Sequence, residues 1–285
     1  MYESLEVVSK LAVTVFVVTC MAAAGLGLSG RAVVAPFRGG RLLAAALLAN
    51  FVVAPAAAVA VTRLVPLDRS HEIGLLLLGG AAGAPFLPKL AALADGDVAF
   101  SVGLMLVLTV GSVAVLPVLL PLMIPGLTVG PWPLLRPLLL TMLLPLAAGM
   151  AVRARTERWA DRLRGGVGVA SNVSMVVALA LLIGLNFRDM VGTLGSGAAA
   201  SAAVFVAVCL GIGYALGGPT PARRSVLGLG TAQRNIAAAL VIATQNFDDP
   251  GVVVMLLVST LAGLVVLVVA ARWFARRAAG PGSAS

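Results

Sequence analysis

Two stretches of the chain place a full positive charge beside helix-loosening residues, within segments that are otherwise apolar. The first runs from Gly79 to Lys89, and the second from Gly228 to Ala237. Ionisable residues at membrane depth are rare and costly, and they usually mark a transport pathway or a binding site. Paired interruptions of apolar helices are the best sequence indication of a transporter site. The residues predicted to break the two helices are Gly79, Gly80, Pro85, Pro88, Gly228 and Gly230.

The composition sets the class of protein. Of 285 residues, 60% are hydrophobic and 11% are charged, which predicts an all-α polytopic membrane protein with a single transmembrane domain over 1–285. Runs of about twenty apolar residues are long enough to cross ~30 Å of hydrocarbon. Nine are predicted, two of them interrupted: 8–29, 41–63, 72–94 (interrupted), 97–124, 133–152, 166–187, 197–217, 225–246 (interrupted) and 250–274.

The nine segments divide into two halves, 8–124 and 166–277, joined by an unpaired helix at 133–152. In each half the third helix is the interrupted one, and each ends at an acidic turn, Asp95–Asp97 or Asp248–Asp249. Because an odd helix separates the halves, they cross the membrane in opposite directions. This order predicts an inverted-topology repeat in which the two breaks cross near the midplane. The tail, 278–285, is predicted to be disordered.

The basic residues predict the orientation. With the N-terminus outside, the inner side receives thirteen of the 20 Lys and Arg residues, the outer side five and the membrane two. Cytoplasmic loops carry an excess of Lys and Arg, so this distribution favours an outer N-terminus and an inner C-terminus. We expect an integral protein of a bacterial cytoplasmic membrane. The inner group includes Arg31, Arg38, Arg41, Arg223, Arg224, Arg272, Arg276, Arg277 and five arginines in 153–164, a segment read as a charged loop or short interfacial helix.

The two membrane cations, Lys89 and Arg234, have no acidic partner at the membrane centre of their own helices. The chain has 11 acidic residues, and all of them lie in termini, loops or helix ends. Carbonyl groups at helix ends, water or a bound anion must therefore offset each charge. This predicts a cavity suited to an organic anion. The alternative without a binding function is that either side chain extends to the membrane–water interface and acts as an anchor. The predicted substrate-binding residues are Lys89, Thr231, Gln233, Arg234 and Asn235.

Several segments together resemble the bile acid:sodium symporter family. They are Gly25-Leu26-Gly27-Leu28, Ala49-Asn50-Phe51-Val52-Val53-Ala54-Pro55, Gly96-Asp97-Val98-Ala99-Phe100-Ser101-Val102 and Gln233-Arg234-Asn235-Ile236-Ala237. The resemblance implies a core of crossing broken helices, a smaller panel domain and alternating access. It also implies sodium-driven transport of a small organic anion; bile-acid-like steroids, keto acids and pantothenate-like acids fit a cationic, apolar cavity.

The family's sodium ligands are only partly kept. Asn50 keeps an amide and Ser101 keeps a hydroxyl, so these two are the candidate ion-binding residues. A Ser-Asn pair typical of the family near Lys89 is lost. At the second break the family's Gln position holds Arg234 and its Glu position holds Gly230, so the key acidic ligand is absent. We therefore expect no cofactor other than a possible sodium ion.

This departure leads to a sharper hypothesis. Lys89 and Arg234 act as tethered substitutes for the two sodium ions, which would leave transport independent of sodium or linked to protons. Ordinary sodium coupling through a rearranged site is the alternative. Asn50, and the cluster of Ser171, Asn172 and Ser174, are predicted with equal weight either to line a cavity or to bond between helices.

Other classes of protein are weaker fits. A metalloid oxyanion efflux carrier would want a cysteine at a break, but Cys20 and Cys209 lie in the first and seventh helices. A catalytic or metal-binding motif is missing from the sequence, since His71 is the single histidine, so no enzyme is expected. The basic residues lie between apolar runs, which argues against nucleic acid. A non-transporting sensor or scaffold stays possible, and we expect a monomer or weak homo-oligomer in the bilayer.

Overall fold

The computed structural model describes residues 2–28, 39–127, 129–193 and 195–278. Eleven helices account for most of these residues. They are α1 (Tyr2–Gly27), α2 (Gly40–Leu64), α3 (Arg69–Gly80), α4 (Leu87–Leu93), α5 (Val98–Met123), α6 (Pro131–Arg155), α7 (Glu157–Gly192), α8 (Ala198–Leu216), α9 (Pro221–Ala232), α10 (Ile236–Asn246) and α11 (Pro250–Ala278). The fold class predicted from the sequence, an all-α polytopic membrane protein, is confirmed.

Eight of the predicted spans are helices that are long and apolar enough to cross a membrane within the described ranges, with α9 and α10 forming one span together. The ninth predicted span consists of α3 and α4. These helices have only 12 and 7 residues, and the segment 81–86 separates them. The order of long and broken helices is the same in α1–α5 and α7–α11, with α6 between them.

The helices form two groups. A panel is made by α1, α6 and α7, which pack on one another, and the remaining helices form a core in which α8 packs on α9 and α11, and α11 packs on α3. Close approach within the panel depends on glycine, as is common between membrane helices. A Cβ on Gly25 of α1 would lie 2.2 Å from the carbonyl oxygen of Leu146, and one on Gly149 of α6 would lie 2.5 Å from that of Ala22.

The observed helix breaks lie at positions different from most of those predicted. Gly79 and Gly80 are the last residues of α3, Pro88 lies in the first turn of α4, and only Pro85 falls within the first break. Gly228 and Gly230 were predicted to interrupt the second broken helix, but both are helical, and the break is Gln233–Asn235. These two glycines serve packing instead. A Cβ on Gly228 would lie 3.1 Å from the carbonyl oxygen of Leu210, and one on Gly230 would lie 3.0 Å from Leu87.

The segment 153–164 is also different from the prediction. Helix α6 continues to Arg155 and α7 begins at Glu157, so only Thr156 separates them. Helix α7 has 36 residues, which corresponds to about 54 Å and exceeds the ~30 Å of hydrocarbon. Its charged first turns therefore extend the helix past the apolar layer. The predicted tail 278–285 lies outside the described residues except for Ala278, and Arg31 and Arg38 lie outside them as well.

Candidate functional site: the helix crossing and the cationic cavity

The two breaks meet through Asn235, which caps the N-terminus of α10. Its side-chain oxygen accepts a hydrogen bond from the backbone N–H of Ala238 at 3.1 Å. Its own backbone N–H donates to the carbonyl of Ala81 at 2.9 Å, and its Nδ2 donates to that of Gly83 at 3.1 Å. Both partners lie in the first break, so the predicted crossing of the two broken helices is present and is held by direct hydrogen bonds.

Helix α5 supports the first break. The backbone N–H of Ala82 donates to Ser112 Oγ at 2.8 Å, and the same hydroxyl donates back to the carbonyl of Ala82 at 2.9 Å. Thr109 Oγ1 donates to the carbonyl of Gly83 at 2.7 Å. Gly83 has φ +81°, and a Cβ there would lie 2.2 Å from the backbone nitrogen of Thr109. The backbone groups released by the break are thus satisfied by protein, as the membrane interior requires.

The guanidinium of Arg234 occupies the centre of the crossing. Nε donates to the carbonyl of Leu78 at 3.1 Å, and Nη2 donates to that of Gly79 at 2.6 Å. Nη1 donates to the carbonyl of Thr231 at 3.2 Å. Leu78 and Gly79 lie in the last turn of α3, and Thr231 lies in the last turn of α9, so the cation lies at two helix C-termini. These ends carry partial negative charge from their unpaired carbonyls, and they stabilise a cation.

Asn50 of α2 supplies the remaining acceptors. Nη1 of Arg234 donates to Asn50 Oδ1 at 3.0 Å, and Nη2 approaches the Asn50 carbonyl at 3.5 Å. That carbonyl is free because α2 contains a π-helical turn at Ala49–Val53, in which Ala54 N–H bonds to Ala49 instead, and because Pro55 has no N–H to donate. Asn50 Nδ2 also donates to Thr231 Oγ1 at 3.2 Å, which fixes the orientation of the amide.

Every N–H of the Arg234 guanidinium therefore has an oxygen acceptor, and each acceptor is a neutral amide or carbonyl oxygen. The residue is only 6% exposed. The ion pairs found in the described part of the chain involve other residues, for example Arg69 with Glu72 and Arg223 with Asp97. Unwound backbone and helix C-terminal carbonyls are the groups with which transporters of this architecture hold a sodium ion. Here oxygens of these kinds surround the fixed positive charge of Arg234.

Lys89 lies elsewhere. It is exposed, and its Nζ lies 4.6 Å from the ring centre of Phe86. Both residues line a cavity of about 230 Å³ between the first broken helix and the panel helices α1 and α7. On the panel side, Cys20 of α1 and Arg164, Ser171 and Asn172 of α7 line the same cavity. Among these lining residues there are two cations and no carboxylate, so the cavity favours a negatively charged occupant.

The structure thus separates the residues predicted as one site. Asn50, Thr231, Arg234 and Asn235 come together in the buried crossing, whereas Lys89 lines the cavity. Gln233 is half-buried, and its Oε1 is a buried acceptor without a hydrogen-bond partner in the described structure. Ser101 is buried in the first turn of α5, where its hydroxyl donates to the carbonyl of Val98 at 2.6 Å. The role of Ser101 in ion binding stays a prediction.

Sequence reasoning missed Arg164 as a cavity residue. It was counted only among the inner topology charges. The signal was present in the helical spacing of Arg164, Gly168, Ser171, Asn172 and Met175, which recur on one face of α7 and all line the cavity. The predicted role of Ser171, Asn172 and Ser174 was open between lining a cavity and bonding between helices. Ser171 and Asn172 line the cavity, whereas Ser174 Oγ lies 3.4 Å from Thr19 Oγ1 of α1, within hydrogen-bond distance.

Comparison with known proteins gives one family. The family model described as "Sodium Bile acid symporter family" matches residues 14–193. A search of curated proteins found no match. The match covers α2–α5, including Asn50, and both panel faces of the cavity, and it ends before α9, α10 and Arg234. Because the matched region spans more than half of the chain and agrees with the fold, this protein belongs to the sodium bile acid symporter family of membrane transporters.

Proposed function

We propose that this protein is a secondary active transporter of a small organic anion, which binds in the cavity beside Lys89 and crosses by alternating access between core and panel. The observation that carries the proposal is the cavity itself. It lies between the two helix groups, and its lining includes Lys89, Arg164, Ser171 and Asn172. An ammonium and a guanidinium provide charge for a carboxylate, and the hydroxyl and amide provide hydrogen bonds that orient it.

The size of the cavity favours small substrates. Its volume of about 230 Å³ is below the ~300–1,000 Å³ typical of pockets for drug-sized ligands. Of the substrate classes that the family resemblance implies, a keto acid fits this volume better than a steroid skeleton, with pantothenate-like acids between them. Phe86 and Phe16 supply apolar contact on two sides of the cavity, which suits a short hydrocarbon chain attached to a carboxylate.

We further propose that Arg234 takes the place of a sodium ion and that transport does not require sodium. Its five N–H groups already engage the oxygens of Asn50, Leu78, Gly79 and Thr231. A sodium ion entering this shell would meet a fixed positive charge at contact distance, and at low dielectric that repulsion is large. Lys89 has no such shell, so its charge is assigned to the substrate and not to a second sodium site.

The location of the cavity suggests which side it serves. Its lining residues come from the second half of α1, from Phe16 to Ala24, and from the first half of α7, from Arg164 to Met175. With the N-terminus outside, as the distribution of basic residues predicts, these are the cytoplasmic halves of both helices. The described conformation then corresponds to an inward-facing state.

The experiment is uptake into proteoliposomes. Radiolabelled short keto acids, pantothenate and a bile acid are offered under a sodium gradient and, separately, under an equal potassium gradient. We expect uptake of a short acid at the same rate in both salts. Stimulation of uptake specifically by sodium would contradict the role proposed for Arg234, but it would still support the proposed transport function. Absence of flux for every acid, with binding retained, would favour the sensor or scaffold reading.

A further inference from the structure

A second, larger groove lies among the panel helices and shares no lining residue with the cationic cavity. It has a volume of about 450 Å³, within the ~300–1,000 Å³ range of ligand pockets, and every residue lining it is apolar. Its walls come from all three panel helices, with Ala22, Leu26, Leu144, Ala148, Val152 and Leu163 among the lining residues. Gly149, one of the lining residues, lies where α6 approaches α1 closely beside Gly25.

One end of the groove adjoins the arginine elbow, defined here as residues 153–164. Val152 and Leu163, which line the groove, are the immediate sequence neighbours of Arg153, Arg162 and Arg164. The elbow contains five arginines and two acidic residues, a net charge of +3. Arg153 pairs with Asp161. The described part of the chain gives no ion-pair partner to Arg155, Arg158 or Arg162, and all three are exposed.

Trp159 indicates the depth of the elbow in the membrane. Its side chain is 56% exposed, and the Arg162 guanidinium lies 5.7 Å from its ring centre. Exposed tryptophan beside arginine is typical of the interface between headgroups and hydrocarbon. The apolar groove therefore extends from acyl-chain depth to a cationic patch at headgroup depth.

We propose that this groove binds one anionic phospholipid, whose phosphate contacts Arg158 and Arg162 while an acyl chain lies against α1, α6 and α7. Charge complementarity selects this occupant, because basic pockets between membrane helices on the cytoplasmic side bind anionic headgroups. A second copy of the chain would fit less well. A two-fold interface joins the same patch of both subunits, which would bring two +3 elbows together.

The test uses the full-length protein purified in neutral detergent. Phosphatidylglycerol is compared with phosphatidylcholine of the same acyl chains, by native mass spectrometry and by thermal unfolding. We expect one phosphatidylglycerol to stay bound at collision energies that remove phosphatidylcholine. In the double variant Arg158→Gln/Arg162→Gln, the phosphatidylglycerol concentration for half-maximal stabilisation should rise on the order of tenfold or more.

Three comparisons make the result decisive. Arg158→Lys/Arg162→Lys keeps the charge and should retain the lipid. Ala148→Trp fills the groove from an exposed position, and this variant should lose the bound lipid although its charge is unchanged. Arg272→Gln/Arg276→Gln removes two exposed arginines from α11, on the same predicted side, and should leave retention unchanged. Each variant is first required to be monodisperse and to unfold cooperatively.

Several outcomes would overturn the proposal. Equal weakening in the α11 variant would show a general surface-charge effect, and equal retention of both lipids would show that the groove does not select a headgroup with a net negative charge. Protection by soluble glycerol phosphate at the same concentration would show an anion site without a lipid chain. A dimer that Ala148→Trp abolishes would assign the groove to a second copy.

Discussion

Both oxygens of Asn50 face the guanidinium of Arg234, the side-chain Oδ1 at 3.0 Å from Nη1 and the backbone carbonyl at 3.5 Å from Nη2. The second contact exists only because the π-helical turn and Pro55 together leave that carbonyl without a helical partner. One residue thus contributes two ligands to a buried cation. An oxygen pair of this kind can serve a sodium ion or a guanidinium, so the amide of Asn50 suits either occupant.

The first prediction concerns Arg234→Gln. The substitution removes the positive charge and leaves the carbonyls of Leu78 and Gly79 without donors. The free energy of unfolding should therefore fall by roughly 3 kcal/mol or more. The vacated oxygen shell should then accept a sodium ion. Since a ligand bound only by the folded protein raises its stability, sodium chloride should raise the unfolding temperature of the variant relative to potassium chloride. The wild-type protein should have the same unfolding temperature in the two salts.

Arg188→Gln is the matched control, because Arg188 is exposed on α7 and the charge removed is the same. It should leave both the stability and the salt response unchanged. A sodium-specific rise in the unchanged protein would contradict the role of Arg234. So would an Arg234→Gln variant that is stable but indifferent to sodium.

The crossing was predictable from the sequence because the types of residue at the two breaks are unusual in a membrane-spanning segment. A cation and helix-loosening residues in an apolar run have few explanations, and the carbonyl ends that must neutralise Arg234 follow from helix geometry. The positions of the breaks were not predictable. Glycine permits a break and also permits close packing, and Gly228 and Gly230 lie against α8 and α4. The sequence does not distinguish these two uses, whereas the capping bond of Asn235 to Ala238 marks the end of the break.

The second prediction separates the two lysines of the chain. Lys89→Gln should lower organic-acid uptake at least tenfold, because loss of one charge-assisted contact costs about 1.5–3 kcal/mol. Lys10→Gln removes the other exposed lysine, near the N-terminus, and this variant should transport normally. Lys89→Arg should retain much of the activity. Normal uptake by Lys89→Gln in proteoliposomes would reduce Lys89 to an interfacial anchor.

The different surroundings of Lys89 and Arg234 show where sequence reasoning stops. Both were predicted to stand in for sodium, since each follows a break with no acid nearby. The direction in which a side chain leaves its helix depends on packing in three dimensions, and Lys89 leaves α4 toward α1 and α7. Arg164 was missed for a related reason, because α7 is continuous from Glu157. Its charged first turns therefore belong to the same helix face as Ser171.

The third prediction uses the native cysteines. Cys20 is partly exposed and lines the cationic cavity, whereas Cys209 is buried. A small thiol reagent should therefore modify Cys20 first, and a bound organic acid should slow the reaction in proportion to its occupancy of the cavity. Mass spectrometry of tryptic peptides gives the rate at each cysteine. The Cys20→Ser variant provides the blank, and a substrate that is transported without slowing the modification would exclude this cavity as its binding site.

The fourth prediction concerns Gly83 in the first break. Alanine there would carry φ +81° and would bring its Cβ within 2.2 Å of the backbone nitrogen of Thr109. The left-handed conformation alone costs about 1–2 kcal/mol for a residue with a side chain, and the clash would move α5 away from the carbonyl that receives Thr109 and Asn235. Gly83→Ala should therefore unfold at a markedly lower temperature and lose transport.

Gly211→Ala is the control, because nothing lies within 4 Å of its Cβ position on α8. It should unfold at the same temperature or higher, since alanine favours a helix over glycine by roughly 0.5–1 kcal/mol. Equal stability of the two variants would mean that the first break tolerates movement, and that the crossing is less rigid than its hydrogen bonds indicate.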